Sequence, residues 1–396
     1  MKNIYCIVGP SGSGKTTLVE ALKKEYGYKV IESYTTRPSR FEDETGHIFV
    51  SSDEFKKLND VYAYNQYDGY EYGITAAQLE ENDLYVVEPS GVEDLLKRYR
   101  GSKGIKVIGL NPDVEVLIER MKLRGDSDEK IIKRLIEDAD TFKNLYNIAD
   151  VMFTADLTVD ALCEALHSHI ENFEYWAKHD YTLLDERGEE VHTFYNRFYT
   201  AEDVLTHYHN VNPDVSTDGW SVRDDTALAV AGYVKDIHKC RPSFKTSMIR
   251  VDESNAGRSS DGYLAVRFYY KDKTYFYREP LNDDAWIQEY VRPVDKRTVE
   301  EVLESKLEGL YNRMRYIDRE LGGEYRDLSK TSIAELKNKR NQINAGICFI
   351  KNAIKVVNKE KNKDNDVRLL DDVIKDAKDK SNIKKPVFCE NIDICY

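Results

Sequence analysis

Eight residues near the start of the chain carry its densest chemical signal: Gly9-Pro10-Ser11-Gly12-Ser13-Gly14-Lys15-Thr16. The spacing G-x-x-x-x-G-K-T lets the backbone curl so that its N–H groups turn inward onto phosphate oxygens, and the helix that follows adds positive potential. Lys15 would reach the β- and γ-phosphates of a nucleoside triphosphate, and the Thr16 hydroxyl would ligate Mg²⁺. Gly9 through Thr17 is therefore the expected ATP-binding stretch, with ATP as donor and Mg²⁺ as the metal. A glycine-rich turn without a ligand is the bland alternative. Against it, the motif lies between an apolar strand pattern, Ile4–Val8, and a helical one, Lys15–Tyr26, which is the context phosphate binding needs.

A second cluster follows in Ser33-Tyr34-Thr35-Thr36-Arg37-Pro38-Ser39-Arg40, where two arginines and several hydroxyls share eight residues. Pro38 stiffens the turn, and guanidinium groups give forked, charge-assisted bonds to phosphate. The segment resembles the nucleoside monophosphate-binding segment of guanylate kinases, S-x-T-T-R-x-x-R. The resemblance continues through Gly46-His47-Ile48-Phe49-Val50-Ser51, Asp53-Glu54-Phe55, Tyr70-Glu71-Tyr72-Gly73 and Glu88-Pro89-Ser90-Gly91-Val92. It ends at Arg120-Met121-Lys122-Leu123-Arg124-Gly125 and Lys133-Arg134, and so covers about residues 1–172.

That resemblance implies an ATP-dependent kinase acting on a (deoxy)nucleoside monophosphate, GMP or dGMP first. It implies that Ser33, Arg37, Arg40 and Tyr72 hold the acceptor's phosphate. Arg120, Arg124 and Arg134 would stabilise charge on the transferring group, together with Lys15. Glu88 ends the apolar run Leu84–Val87 and would hold a Mg²⁺-bound water or orient an acceptor arginine. His47 stands nearest a family tyrosine; it either donates to phosphate or is an ordinary surface histidine. Three positions depart from the family pattern. Ala63 replaces the guanine-reading glutamate, with Asn65, Gln66 or Asp68 as the nearby substitutes. Ile74 replaces a hydroxyl residue, with Thr75 beside it. Val86 replaces the first aspartate of D-x-D, leaving Glu88.

The elements that must position these residues read as an α/β pattern. Leu84–Val87 and Lys106–Leu110 are buried strands, and Val151–Thr154 is a last strand. Val114–Leu123, Asp128–Tyr146 and Thr158–Asn172 are helical, with Asp113 and Ser127 as N-caps. The expected fold is a P-loop parallel sheet with flanking helices, followed by a small α+β domain and a helical hairpin. The expected division is 1–172, 173–295, 296–380 and a loose tail, 381–396. In 173–295, Phe244–Val251 reads as a strand beside a hairpin, Gly262–Arg278, that turns at Lys271-Asp272-Lys273. In 296–361, Val299–Leu321 and Ser332–Asn358 are long helices parted by Gly322-Gly323, and Val367–Ala377 is a shorter helix. Their apolar stripes suit an intramolecular hairpin or a contact with a partner or second copy.

Composition sets outer limits. The 396 residues are 41% hydrophobic and 33% charged, as expected of a soluble, globular, multidomain chain. No apolar run is long enough for a membrane span, and no signal peptide is read at the N-terminus. Six scattered cysteines fit reduced thiols and a cytoplasmic setting, of a cell or an infected host. Residues 1–172 carry a net charge of −10, which argues against a nucleic-acid surface there, while residues 296–380 carry +4 and leave that question open for themselves. His207-Tyr208-His209, with His192 or His238, lacks the spacing of a metal site. A scaffold that binds nucleotide without turnover is the main alternative function. A P-loop protein acting on a polynucleotide end or a modified base is a third.

Overall fold

The computed structural model describes residues 2–39, 44, 46–67, 69–154, 157–252, 264–271, 273–279, 286–291, 293–322 and 330–361. Strand β1 (Asn3–Val8) is buried along its whole length and leads through the glycine-rich loop into α1 (Lys15–Tyr26). There follow β2 (Ser33–Thr35), β3 (His47–Phe49), α2 (Ser52–Phe55), β4 (Val61–Tyr67), β5 (Tyr70–Thr75), α3 (Ala76–Glu81) and β6 (Leu84–Val86). Next come α4 (Pro89–Arg98), β7 (Gly104–Leu110), α5 (Val114–Leu123), α6 (Asp128–Thr141), α7 (Leu145–Ile148), β8 (Val151–Phe153) and α8 (Val159–Trp176).

The fold is α/β. The apolar strands assemble in the order β6-β1-β7-β8, with β1–β6 and β7–β8 parallel. Helices link them because parallel neighbours need long crossovers. A second sheet, β3-β2-β5-β4, sets Tyr34 opposite Gly73 and Thr35 opposite Tyr72. One helix is shorter than its periodicity predicts. Phe142 caps α6, and Leu145–Ile148 resumes as a separate turn. Ser127 caps α6 as its side chain suggests, accepting from the Lys130 N–H, whereas the Asp113 side chain makes no cap bond.

Beyond α8 lie β9 (His179–Leu184), β10 (Glu190–Phe198), α9 (Ala201–Val211), β11 (Ser221–Asp224) and α10 (Asp225–Cys240). Then come β12 (Ile249–Val251), β13 (Leu264–Tyr270), β14 (Lys273–Glu279) and β15 (Trp286–Tyr290). The expected hairpin forms, with Tyr270 opposite Lys273. Its partner strand β12 is only three residues long, because Thr246–Met248 coils into a 3₁₀ turn. His207 and His209 lie on α9, and His207 packs edge-on against Phe194. No metal-ligating cluster of three His, Cys, Asp or Glu occurs among the described residues. The chain then forms α11 (Val299–Leu321) and α12 (Lys330–Lys361). The proposed helix 367–377 and the tail lie outside the described residues. No helix among the described residues is long and apolar enough to cross a membrane.

The chain packs as two compact units that interleave along the sequence. The first comprises Met1–Ile7, Thr16–Val107 and Leu157–Pro293, and the second Val8–Lys15, Ile108–Asp156 and Val294–Tyr396. In the first, α10 covers the β12-β13-β14-β15 sheet through Ile237, Phe244, Val266 and Phe268. In the second, Leu303 and Leu310 of α11 and Ile350 of α12 share one core with Met121 of α5 and with Ile131 and Leu135 of α6. Each such side chain contributes about 1.5–3 kcal/mol by leaving water. The apolar stripes of α11 and α12 are thus spent largely within the chain, on the two helices that carry Arg120 and Arg134.

Candidate functional site

The glycine-rich loop belongs to the second unit. Gly12 and Gly14 adopt φ of +80° and +93°, a left-handed backbone that favours glycine. A side chain at Gly12 would also press to 2.9 Å from the Leu117 carbonyl oxygen of α5, so the helix backs directly onto the loop. Lys15 donates from Nζ to the Pro10 carbonyl at 3.0 Å and folds over its own loop. The Ser11 N–H donates to Oδ2 of Asp138 at 2.9 Å. Burial pushes the Asp138 carboxyl above its ordinary range, opposed by the Ser11 hydrogen bonds and by the charges of Lys15 and Lys306. Lys306 of α11 is pushed down by burial and pulled up by Asp138.

Two of the three expected lid arginines reach this loop. Arg120 NH1 donates to the Ser13 carbonyl at 3.3 Å, and Arg134 NH1 to Ser11 Oγ at 3.1 Å. Arg124 instead donates through Nε to Asp126 at 3.2 Å, on the turn that ends α5. Burial opposes ionisation of Asp126, but bonds from Arg124 and Lys130 outweigh it and hold the pKa below its ordinary value. The α5 helix is tied to the C-terminal hairpin. Arg313 forks onto the fully buried Glu115 at 2.9 and 2.8 Å, and its NH1 lies 3.2 Å from Asp113. Gln342 donates to Glu119 at 2.9 Å.

The acceptor-type residues belong to the first unit. Parallel pairing of β2 with β3 sets Ser33 opposite His47, and Ser33 Oγ lies 2.9 Å from His47 Nδ1. The His47 ring meets Tyr72 edge-on at 5.8 Å. Arg37 is 8% exposed and lies over the Phe49 ring. Its fork is filled by Glu44, at 3.1 and 2.8 Å, which raises the Arg37 pKa. A carboxylate in this bidentate geometry uses the donors that a phosphate would use. Ser33, Arg37, His47 and Tyr72 are therefore brought together. Arg40 and Asp68 lie outside the described residues.

Glu88 is exposed at the start of α4 and accepts from Asn65 Nδ2 at 3.4 Å. The strand bulges between Tyr62 and Asn65, with Ala63 at φ +49°. The Ala63 N–H donates to Asp94 Oδ2 at 2.8 Å. Asp94, Glu44, Asp138 and Lys306 are not singled out by the sequence motifs. Asp94 alone had a local signal, since it follows Glu88 on a helix that opens at the motif and faces β4.

The residues present suit a triphosphate: a left-handed glycine loop, an ammonium and two guanidiniums gathered on it. Thr16, the second residue of α1, is the hydroxyl that the motif assigns to Mg²⁺, an ion that takes few protein ligands when phosphates supply the rest.

A family model described as an AAA domain, AAA_18, matches residues 6–142, which include this loop. Three similar proteins are guanylate kinases. That of Mycoplasma genitalium is 32% identical over 151 residues, 34% of this chain and 62% of the relative. That of Paraburkholderia xenovorans is 30% identical over 144 residues, 33% of this chain and 63% of the relative. That of Hydrogenovibrio crunogenus is 30% identical over 178 residues, 42% of this chain and 85% of the relative. The chain thus spans less than two thirds of the first two relatives' length.

Proposed function

The chain belongs to the guanylate kinase family through its N-terminal segment, and from that premise we propose that it transfers the γ-phosphoryl group of ATP to a (deoxy)nucleoside monophosphate, GMP or dGMP first. The observation that carries this reading is the convergence of Lys15, Arg120 and Arg134 on one phosphate-type loop. In the proposed reaction an oxygen of the acceptor phosphate attacks the γ-phosphorus in line, and the bond to the β,γ-bridging oxygen breaks. The attacking phosphate is already ionised, so no general base is assigned. Lys15 and the two arginines offset the charge that spreads over the migrating group. Arg37, with Ser33, His47 and Tyr72, holds the acceptor phosphate, and Arg40 is assigned to it from the motif. Bound Mg²⁺ would neutralise charge on the β- and γ-phosphates, with Thr16 as its protein ligand.

The division into a kinase module (1–172), a small domain (173–295) and a helical region remains part of the proposal. Base choice is its most exposed part. A site that hydrogen-bonds a base rejects others by ~10⁴–10⁵, and a site lacking those partners discriminates far less. With Ala63 and Ile74 at the family's polar positions, we expect a relaxed preference for guanine. Asp94 and Asp68 are the carboxylates assigned nearest the base. ATP with each monophosphate in turn, product measured directly, tests the reading. Turnover that favours dGMP over dAMP, dCMP and dTMP by less than ~10⁴ is expected. A scaffold role has one observation in its favour: Glu44 already fills the Arg37 fork. Bound ATP without turnover of any monophosphate would establish that role.

A further inference from the structure

A cavity of about 340 Å³ lies in the first unit, and none of its lining residues is assigned above to phosphoryl transfer. Its size falls in the range of small-molecule pockets. Four cations line it, Lys2, Arg100, Lys106 and Arg250, in a chain whose net charge is −13. The two arginines come from different segments of this unit, Arg100 after α4 and Arg250 in β12.

Both guanidiniums are held by neutral groups. Arg100 donates to the Tyr99, Lys97 and Lys271 carbonyls, each at 2.7 Å, and Arg250 to the Lys103 carbonyl at 3.1 Å. Among the described residues neither has a carboxylate at ion-pair distance. The nearby acids are engaged elsewhere. Asp252 accepts from Arg267 Nε at 2.9 Å. Glu174 accepts the Lys2 and Asn3 N–H groups and the Tyr5 hydroxyl, and Glu80 accepts the Ser102 N–H at 3.0 Å. Burial, and then the like charge of Arg250, pushes Arg100 below its ordinary pKa. Two guanidiniums held close without a counter-charge repel each other until an anion joins them. Phe173 and Tyr269 add aromatic surface to the wall, and Lys106 Nζ sits 5.4 Å over the Phe173 ring. Aromatic faces stack bases regardless of sequence, and arginine forks match phosphate.

We infer that this cavity is a second nucleotide site, which takes a nucleoside phosphate with its phosphates between Arg100 and Arg250 and its base against Phe173 and Tyr269. The site is independent of the proposed phosphoryl transfer and stands if that reading fails. Binding of ADP to the full chain, in a Lys15→Ala background that weakens the glycine-rich loop, tests it. Affinity should fall about tenfold or more on Arg250→Ala and on Arg100→Gln, with the unfolding temperature unchanged. It should also weaken with added salt. ADP should slow amide exchange across residues 97–104 of the chain carrying only Lys15→Ala, a readout that needs no cavity variant to fold. Affinity and exchange both unmoved would overturn the inference. Inorganic pyrophosphate binding as tightly as ADP would overturn the assignment of a nucleoside.

Discussion

Around the glycine-rich loop, charged side chains bond mostly to backbone, whereas around Arg37 they bond to one another. Lys15 and Arg120 donate to loop carbonyls, and Asp138 accepts a loop N–H. Arg37 is forked onto Glu44, and Ser33 is bonded to His47. The loop's shape is a backbone property, set by glycines at positive φ and by the α5 backbone behind Gly12. The Arg37 cluster is a product of strand pairing, since His47 and Tyr72 reach it only because β3 and β5 flank β2. Loop chemistry should therefore respond to single charge changes, and the Arg37 cluster to changes in any of several partners.

The largest effect expected is on the loop. Lys15→Ala should lower kcat by about a thousandfold or more while the unfolding midpoint stays within error, because it removes charge from the migrating phosphoryl group. Steady-state kinetics beside thermal unfolding check this, and wild-type turnover would detach the loop from the reaction. Next, Arg37→Ala should cost ~2–5 kcal/mol in kcat/KM for the acceptor and leave the KM for ATP nearly unchanged. Equal damage to ATP would erase the contrast between the two regions.

A third effect concerns what backs the loop. Arg313→Met would leave Glu115 buried without its fork. Breaking such a pair costs ~3–5 kcal/mol, and partial exposure of Arg313 argues for the lower figure. Denaturant unfolding should show that loss, and Glu115→Gln added to Arg313→Met should recover most of it. No recovery would mean that α11 supports α5 by packing alone.

The smallest effect is at Asp138. Its folded-state pKa is raised by burial, so its favourable contribution is present below the unfolded pKa and lost as pH rises through the folded one. Asp138→Asn keeps an oxygen for the Ser11 N–H. The variant should therefore gain stability relative to wild type as pH rises from the ordinary carboxylate value through the raised, folded-state one, by a small amount. ATP should also bind it somewhat more tightly, since an anion beside the triphosphate is gone. A stability gain that shrinks as pH rises would reverse the assigned sign.

Much of the fold was legible because its signals are local. Buried runs such as Ile4–Val8 and periodic runs such as Val114–Leu123 and Val299–Leu321 encode their elements through side chains a few residues apart. The glycine loop was legible for the same reason. Where local signals ran out, the reading drifted. Nothing in Asp128–Tyr146 marks the break after Thr141, and nothing in Phe244–Val251 marks its 3₁₀ turn.

The sequence by itself determined the phosphate loop, the α/β alternation and the helical hairpin, because backbone freedom at glycine and amphipathic periodicity act over one or two turns of chain. Only the tertiary structure decided that Glu44 would fill the Arg37 fork, that Asp94 would stand at Ala63, and that α11 and α12 would share a core with α5 and α6. Those partners lie from seven to more than two hundred residues apart. Which apolar stripe meets which, and which carboxylate meets which guanidinium, depends on the burial and charge balance of the assembled chain and leaves no mark at any single spacing.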